Sequence, residues 1–532
     1  MSIFETFPCA PTLGPQPRKT LKYFLVVIKV QFSGKKESYP AVRELLGPDN
    51  DADELVLNWY RGENTYIPPN PDHFFERAFL QRHLLYPEKL SSSGFLEQAG
   101  IVCNNAFVSD PCSREYQERL KRSNEYLLVA LSDLSIWPDL SAEQLLSCRV
   151  LQWLEENSGI DLRHITYPVD QTMFGNHYLH FIYPIVGAKI RDEADIKDLT
   201  SRIVQMIERF NSIIADIETK ERVGVIAPRE CLLRLLDPVA KGMKKLENGG
   251  FIVDMVKNKF KASTDQEAPA DLCSELIKVI EHHLTPMLSQ YLVTLGSHVE
   301  KSTVDGGLWR LEGGDKLYRN RMKWFITTDI SPEDCHQLGM DEVARVHKKI
   351  HDVITDMNNR GDMTLDGSKS VSENLTNLFK MERFFYKNKE EMVDDCKKAL
   401  KLINEATSEY FGVKPQFGCL VEPIAAEVNI NAQGFYADGP LDLSRPGAFM
   451  VNGNRLHTQL QFQMKSLTAH EAVPGHHTQI SLKLENKELP YFRRVLPTTF
   501  MGFSEGWGLY AELLCHEVCN VYSPAIPPPI CL

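Results

Sequence analysis

The sequence contains little that would direct the chain into or across a membrane. Its apolar run at 24–28 is short and lies between Lys22 and Lys29, whereas a membrane-spanning helix needs about 20 apolar residues. The run also begins more than twenty residues from Met1, which is unlike a secretory signal. We therefore expect a cytoplasmic protein without a transmembrane segment.

The sequence also lacks a dense set of cysteines, an excess of positive charge and a phosphate-binding glycine loop. The 12 cysteines stand singly, apart from Cys515 and Cys519, and form no Cys-x-x-Cys pair, so we expect reduced thiols. The net charge is −12, which argues against a nucleic-acid partner. The glycine pairs at 306–307 and 313–314 lack the Gly-Lys-Ser/Thr ending of a phosphate loop.

What is present predicts a mainly α fold. The 532 residues, 43% of them hydrophobic, suffice for a large core and for two lobes. From about residue 115 the apolar spacing is helical. One amphipathic face is formed by Ile203, Ile207, Phe210, Ile214 and Ile217. Ser331 followed by Pro332 predicts another helix start, with serine as the N-cap and proline in the first turn.

Between about 417 and 453 the pattern changes to short apolar pieces among Gly, Pro and Asn. These pieces lie at 428–430, 434–436 and 448–451. Their length and flanking residues favour strands over helices. We expect a small sheet or extended lips immediately before residue 470, forming either a substrate wall or an ordinary structural hairpin.

The segment from His470 to His477 holds the residue types of a catalytic zinc site. It reads His-Glu-Ala-Val-Pro-Gly-His-His, and Glu505 follows in the sequence Ser-Glu-Gly-Trp. Two histidines and one glutamate are a common ligand set for one catalytic Zn²⁺, with a fourth position open to water. A further glutamate, here Glu471, can then act as general base on that water.

The spacing requires a break in the helix. The usual zinc motif places two histidines at i and i+4, but that position is Pro474, which cannot bind metal and has no N–H to donate to the His470 carbonyl. We expect a kink after Val473 and an excursion through Pro474 and Gly475 that brings His476 beside His470. His477 is the alternative ligand, and a histidine-rich loop that binds nothing is the alternative interpretation.

Further side chains could assist the reaction. Glu512 follows Glu505 by two helical turns and could accept the free N–H of a ligand histidine, although a surface or capping role fits as well. Tyr510 or Tyr436 could stabilise an oxyanion, although each could equally be a packed aromatic. Gly506 and Gly508 would allow the two helices to approach closely.

These segments together resemble the family called "domain of unknown function 885". The resemblance rests on the sequence at 470–477, on the segment 505–512, and on supporting segments at 327–328, 336–343 and 436–452. It covers residues 50 to 520. The resemblance implies a multi-helix, gluzincin-like zinc metallopeptidase with one Zn²⁺, a small β-containing segment before the metal-binding helix, and a peptide substrate.

The resemblance also divides the chain. We expect a poorly matching segment at 1–45, a zinc peptidase-like domain at 46–520 and a Pro-rich tail at 521–532. Members of the family extend further, so we expect a domain shortened at its C-terminal end. The alternatives to a peptidase are a catalytically impaired relative that acts by binding, and a zinc hydrolase of non-peptide amides.

Overall fold

The fold is mainly α, as predicted. The structure is a computed structural model that describes residues 42–48, 52–88, 108–157, 182, 184–361, 366, 369–424, 432–441, 443, 445–495 and 500–517. These residues form two compact units. The first unit comprises the described residues up to Gly314 together with Pro490–Arg493, and the second comprises the remainder.

The first unit is built from ten helices in the described residues. They are α1 (Val42–Leu46), α2 (Ala52–Tyr60), α3 (Pro71–Leu85), α4 (Arg114–Ser132), α5 (Ala142–Asn157), α6 (Glu193–Arg222), α7 (Arg229–Lys244), α8 (Gly250–Thr264), α9 (Ala270–Val279) and α10 (Thr285–Lys301). Helix α6 carries the predicted apolar face. Ile203, Phe210, Ile214 and Ile217 are buried where α6 packs against α9 and α10, which confirms the predicted helix.

The second unit contains the remaining helices and the sheet. Its helices are α11 (Gly314–Ile326, with Gly314 in the first unit), α12 (Pro332–Asn359), α13 (Val371–Leu378), α14 (Lys389–Thr407), α15 (Gln461–Glu471), α16 (His476–Glu485), the short α17 (Tyr491–Arg494, shared between the units) and α18 (Met501–Glu517). Helix α12 starts as predicted. The Ser331 side chain accepts a hydrogen bond from the Asp334 N–H, and Pro332 occupies the first turn.

A three-stranded sheet lies in the second unit, in the order β1-β3-β2. The strands are β1 (Leu420–Pro423), β2 (Gly434–Ala437) and β3 (Ala448–Val451). Strand β3 pairs in parallel with β1 and antiparallel with β2. Strands β2 and β3 confirm two of the predicted apolar pieces; the piece at 428–430 lies outside the described residues, and the sequence did not single out β1.

The sheet and two helices enclose the core beneath the candidate site. Phe449 and Val451 of β3 pack in one buried cluster with Met392 of α14 and Met464 of α15. Helix α15 also contacts α18. Helix α15, which carries His470 at its end, is therefore fixed between the sheet, α14 and α18.

Two other sequence predictions concern features of the whole chain. In the described residues no helix is both long and apolar enough to span a bilayer. Helix α1 runs across the predicted boundary between residues 45 and 46, and the predicted boundary at 520 lies outside the described residues. The three predicted segments therefore stay predictions.

Candidate metal centre

The chain leaves the helical path between the two histidines. Helix α15 ends at Glu471 and α16 begins at His476. Ala472 makes the last backbone hydrogen bond of α15, and its φ of −99° and ψ of −118° lie outside the helical region. The predicted break after Val473 was therefore two residues too late. Proline also disfavours the helical conformation in the residue before it, so the helix ends before Val473.

Gly475 allows this excursion to fold tightly back on α15. A Cβ atom at this position would lie 1.8 Å from the His470 carbonyl oxygen and 2.4 Å from that of Ala469. Any other residue would force the turn away from the end of α15. The excursion, which comprises residues 472–475, thus places the start of α16 beside the last turn of α15.

His470, His476 and Glu505 come together at this point. The Nε2 atom of His470 lies 3.3 Å from Oε2 of Glu505, and Nε2 of His476 lies 3.7 Å from the same oxygen. The three donor atoms all lie within 4.8 Å of one another, and no other such trio of ligand residues occurs in the described part of the chain. Ligands about 2.0–2.1 Å from a tetrahedral ion stand roughly 3.3 Å apart. The donor set suits one zinc ion, and the two distances to Oε2 of Glu505 are near this spacing.

Helix α18 orients the His470 ring from two sides. Nδ1 of His470 lies 2.8 Å from Oε1 of Glu512, and the other carboxylate oxygen of Glu512 accepts a hydrogen bond from Ser466. Gly508 leaves room for the ring, because a Cβ atom there would lie 2.5 Å from Cε1 and 2.6 Å from Nε2. In the neutral imidazole with Nδ1–H donated to Glu512, the lone pair of Nε2 would be available to a metal ion beside Glu505.

The structure brings His476, and not His477, to the cluster. The rings of His470 and His476 meet edge to face with centroids 4.8 Å apart. His477 is 1% exposed, and both its nitrogens have other partners. Nε2 lies 3.0 Å from the Phe417 carbonyl oxygen, so it donates, and Nδ1 accepts from the Tyr436 hydroxyl at 3.1 Å. Neither nitrogen of His477 is available to a metal in this arrangement.

Glu471 is held by the sheet. Its Oε2 accepts a hydrogen bond of 2.9 Å from the backbone N–H of Tyr436 in β2, and the residue is 8% exposed. Burial raises the pKa of the Glu471 carboxyl. A buried carboxyl that is held in place and has a raised pKa is suited to accepting and returning a proton.

The two imidazoles and Glu505 shift one another's pKa values. Burial opposes the charged form of His470, but hydrogen bonds with Glu505 and Glu512 outweigh it and raise its pKa to about 10. For His476 the hydrogen bond to Glu505 and the charge of Glu471 likewise outweigh burial and raise the pKa. Hydrogen bonds from both imidazoles lower the pKa of Glu505 to about 2. A cation at this point would take the place of these protons.

Three predicted contributions are not found at the cluster. Tyr510 is 51% exposed, and five residues along a helix turn its side chain roughly 140° away from Glu505; its ring packs against Trp507. No atom lies within 4 Å of where a Cβ of Gly506 would stand, so only Gly508 permits a close approach. The hydroxyl of Tyr436 is engaged by His477.

The cluster is also supported by side chains for which the sequence predicted no role. Nδ1 of His476 lies 3.3 Å from Oε1 of Gln479, and Trp507 donates its indole N–H to the carbonyl of Pro474. Gln479 stands three residues after His476, and Ser466 four residues before His470. These helical spacings could have identified both residues, but the contact made by Trp507 depends on the irregular excursion.

One protein-family model matches most of the chain. The family model described as "Bacterial protein of unknown function (DUF885)" matches residues 87–527. The chain belongs to this family. The DUF885 match includes all the candidate ligands, but the family description names no activity. No curated protein matches the chain.

Two solved structures share the fold of this DUF885 chain. A "putative lipoprotein" from Colwellia psychrerythraea is 20% identical, with a TM-score of 0.73, over 84% of this chain and 77% of its own. A second "putative lipoprotein of unknown function", from Shewanella oneidensis, is 14% identical, with a TM-score of 0.57, over 84% and 78%. At these identities the likeness shows the fold alone.

Proposed function

We propose that this DUF885 protein is a zinc-dependent metallopeptidase. The observation that carries the proposal is the grouping of Nε2 of His470, Nε2 of His476 and Oε2 of Glu505 within the reach of one ion, with the buried carboxyl of Glu471 next to His470 in sequence. The set leaves a coordination position for water or substrate. A zinc ion held there would polarise the scissile carbonyl and acidify a water molecule.

The chain's own residues would supply the proton transfers. Glu471, fixed by the Tyr436 N–H, would take a proton from the attacking water. It would then deliver that proton to the nitrogen of the leaving amine. Glu512 would hold His470 in the tautomer that keeps Nε2 free, as its 2.8 Å contact with Nδ1 supports.

Strand β2 supports a peptide as the substrate. It pairs with β3 alone in the described sheet, and the Tyr436 N–H that meets Glu471 points away from β3. A peptide that paired with main-chain groups of β2 not engaged by Glu471 would pass the Glu471 carboxyl. The cytoplasmic location stays a prediction.

A peptide-library digest of the zinc-loaded protein tests the proposal, with Glu471→Gln as the matched variant. We expect wild type to cleave peptides and the variant to retain zinc with little cleavage. Cleavage of small amides but not of peptides would favour a non-peptide amidase. Bound zinc with no cleavage of either would favour a binding protein.

A further inference from the structure

The position of His476 depends on a turn that has no regular secondary structure. Residues 472–475 connect α15 to α16, and the His476 side chain begins where this turn ends. Pro474 and Gly475 are both buried. A buried carbonyl group needs a hydrogen-bond donor, and the helical hydrogen bonds of α15 do not extend to these two residues. The Gly475 carbonyl accepts a hydrogen bond of 3.1 Å from the Gln479 N–H of α16. The Pro474 carbonyl is therefore the one whose donor comes from another helix.

The donor comes from the helix that carries Glu505. The indole nitrogen of Trp507 lies 2.9 Å from the Pro474 oxygen and 3.3 Å from the Gly475 oxygen. An indole N–H is a donor only, so its direction is fixed toward these two acceptors. Glu505 lies two residues before Trp507 on α18. The same helix thus fixes both the third carboxylate donor and the turn that carries the second imidazole.

We propose that Trp507 is a positioning residue for the metal-ligand set, because its indole N–H holds the Pro474–Gly475 turn and thereby sets the separation of His476 from Glu505. The inference rests on the proposed zinc site. It adds a link between α18 and the turn that the ligands themselves do not provide. Without that hydrogen bond, the turn would lose its direct tie to α18, and the 3.7 Å separation of His476 Nε2 from Glu505 Oε2 would depend on the packing of α16 alone.

The test compares two variants that separate the hydrogen bond from packing. Trp507→Phe removes the N–H and keeps an aromatic ring. Phe411→Leu is the control, because the Phe411 ring packs edge-on against Trp507 at 6.3 Å while the hydrogen bond to the turn remains. Site-specific replacement of Trp507 by benzothienylalanine, in which sulfur replaces the N–H, removes the donor with the least change in shape.

Two readouts are measured on each full-length protein. Hydrogen exchange of the amides at 472–477 in chelator-treated protein reports how firmly the turn is held. Zinc affinity, by competition with a chromophoric chelator, reports the geometry of the ligands. We expect Trp507→Phe to speed exchange about fivefold or more and to weaken zinc binding about 10- to 100-fold, with Phe411→Leu near wild type in both.

The outcomes separate this inference from the proposed function. Exchange at 472–477 that matches wild type in both Trp507 variants would overturn the inference, and so would faster exchange with unchanged zinc affinity. If Trp507→Phe does not fold, the benzothienylalanine protein decides on the same criteria. Failure of wild type to bind zinc would instead remove the proposed function, and the exchange rates alone would then show whether Trp507 holds the turn.

Discussion

Replacing Gly508 by alanine introduces a single methyl group against the His470 ring. The new Cβ would lie 2.5, 2.6 and 2.8 Å from Cε1, Nε2 and Nδ1 of that ring. Ordinary van der Waals contact needs roughly 1 Å more than this. The ring must therefore shift, and the shift changes both its 2.8 Å contact with Glu512 and its 3.3 Å approach to Glu505.

The expected magnitude follows from that displacement. An error of about 1 Å in catalytic geometry costs on the order of 10²-fold in rate, and disturbing the support of a ligand histidine costs about 10- to 100-fold in metal affinity. Gly506→Ala is the matched control on the same helix, since its Cβ would meet no atom within 4 Å. Alanine favours a helix over glycine by about 1 kcal/mol, so the control should be slightly stabilised.

The assay is zinc affinity by chelator competition, with the melting temperature measured in parallel. We expect Gly508→Ala to bind zinc at least tenfold more weakly than wild type, whereas Gly506→Ala binds it equally well. Equal zinc affinity of Gly508→Ala and Gly506→Ala would refute the placement of His470 against α18.

Three further predictions concern the same cluster. Glu471→Gln should keep zinc while hydrolysis falls about 10²- to 10⁴-fold; full activity would remove Glu471 from the mechanism. His476→Ala should lose zinc while His477→Ala keeps it, as elemental analysis of the two proteins will show, and the reverse result would assign the ligand to His477. Zinc affinity should fall as pH is lowered, because the raised pKa values of His470 and His476 make protons compete with the ion. Below these pKa values, each displaced proton lowers the affinity about tenfold per pH unit. A zinc affinity that stays constant between pH 6 and about 8 would contradict this prediction.

The helical periodicity of apolar residues and the residue types of the metal site could be predicted from the sequence. The five apolar positions between Ile203 and Ile217 gave helix α6 because one face must be buried. Proline at 474 indicated that the helix carrying His470 must break, and the break then made His476 the nearer histidine. Both inferences use local rules that apply whatever the rest of the chain does.

Other features depend on contacts that no local rule encodes. The roles of Gly508 and Trp507 follow from the distance between α15 and α18, which the sequence does not specify. Tyr510 was placed near the site by its proximity in sequence to Glu505, but the helical turn directs it elsewhere. Strand β1 was missed because its sequence, Leu-Val-Glu-Pro, holds only two consecutive apolar residues and buries only Val421. The division into two units depends on how separate helices pack.

The most direct test of the metal centre is the zinc content of the purified protein. Elemental analysis after dialysis against a weak chelator should find one zinc ion per wild-type chain and almost none in Glu505→Ala. Glu517→Ala, which removes an exposed carboxylate near the end of the same helix, should keep the wild-type content. Equal zinc in Glu505→Ala and wild type, or no zinc in either, would contradict the proposed site.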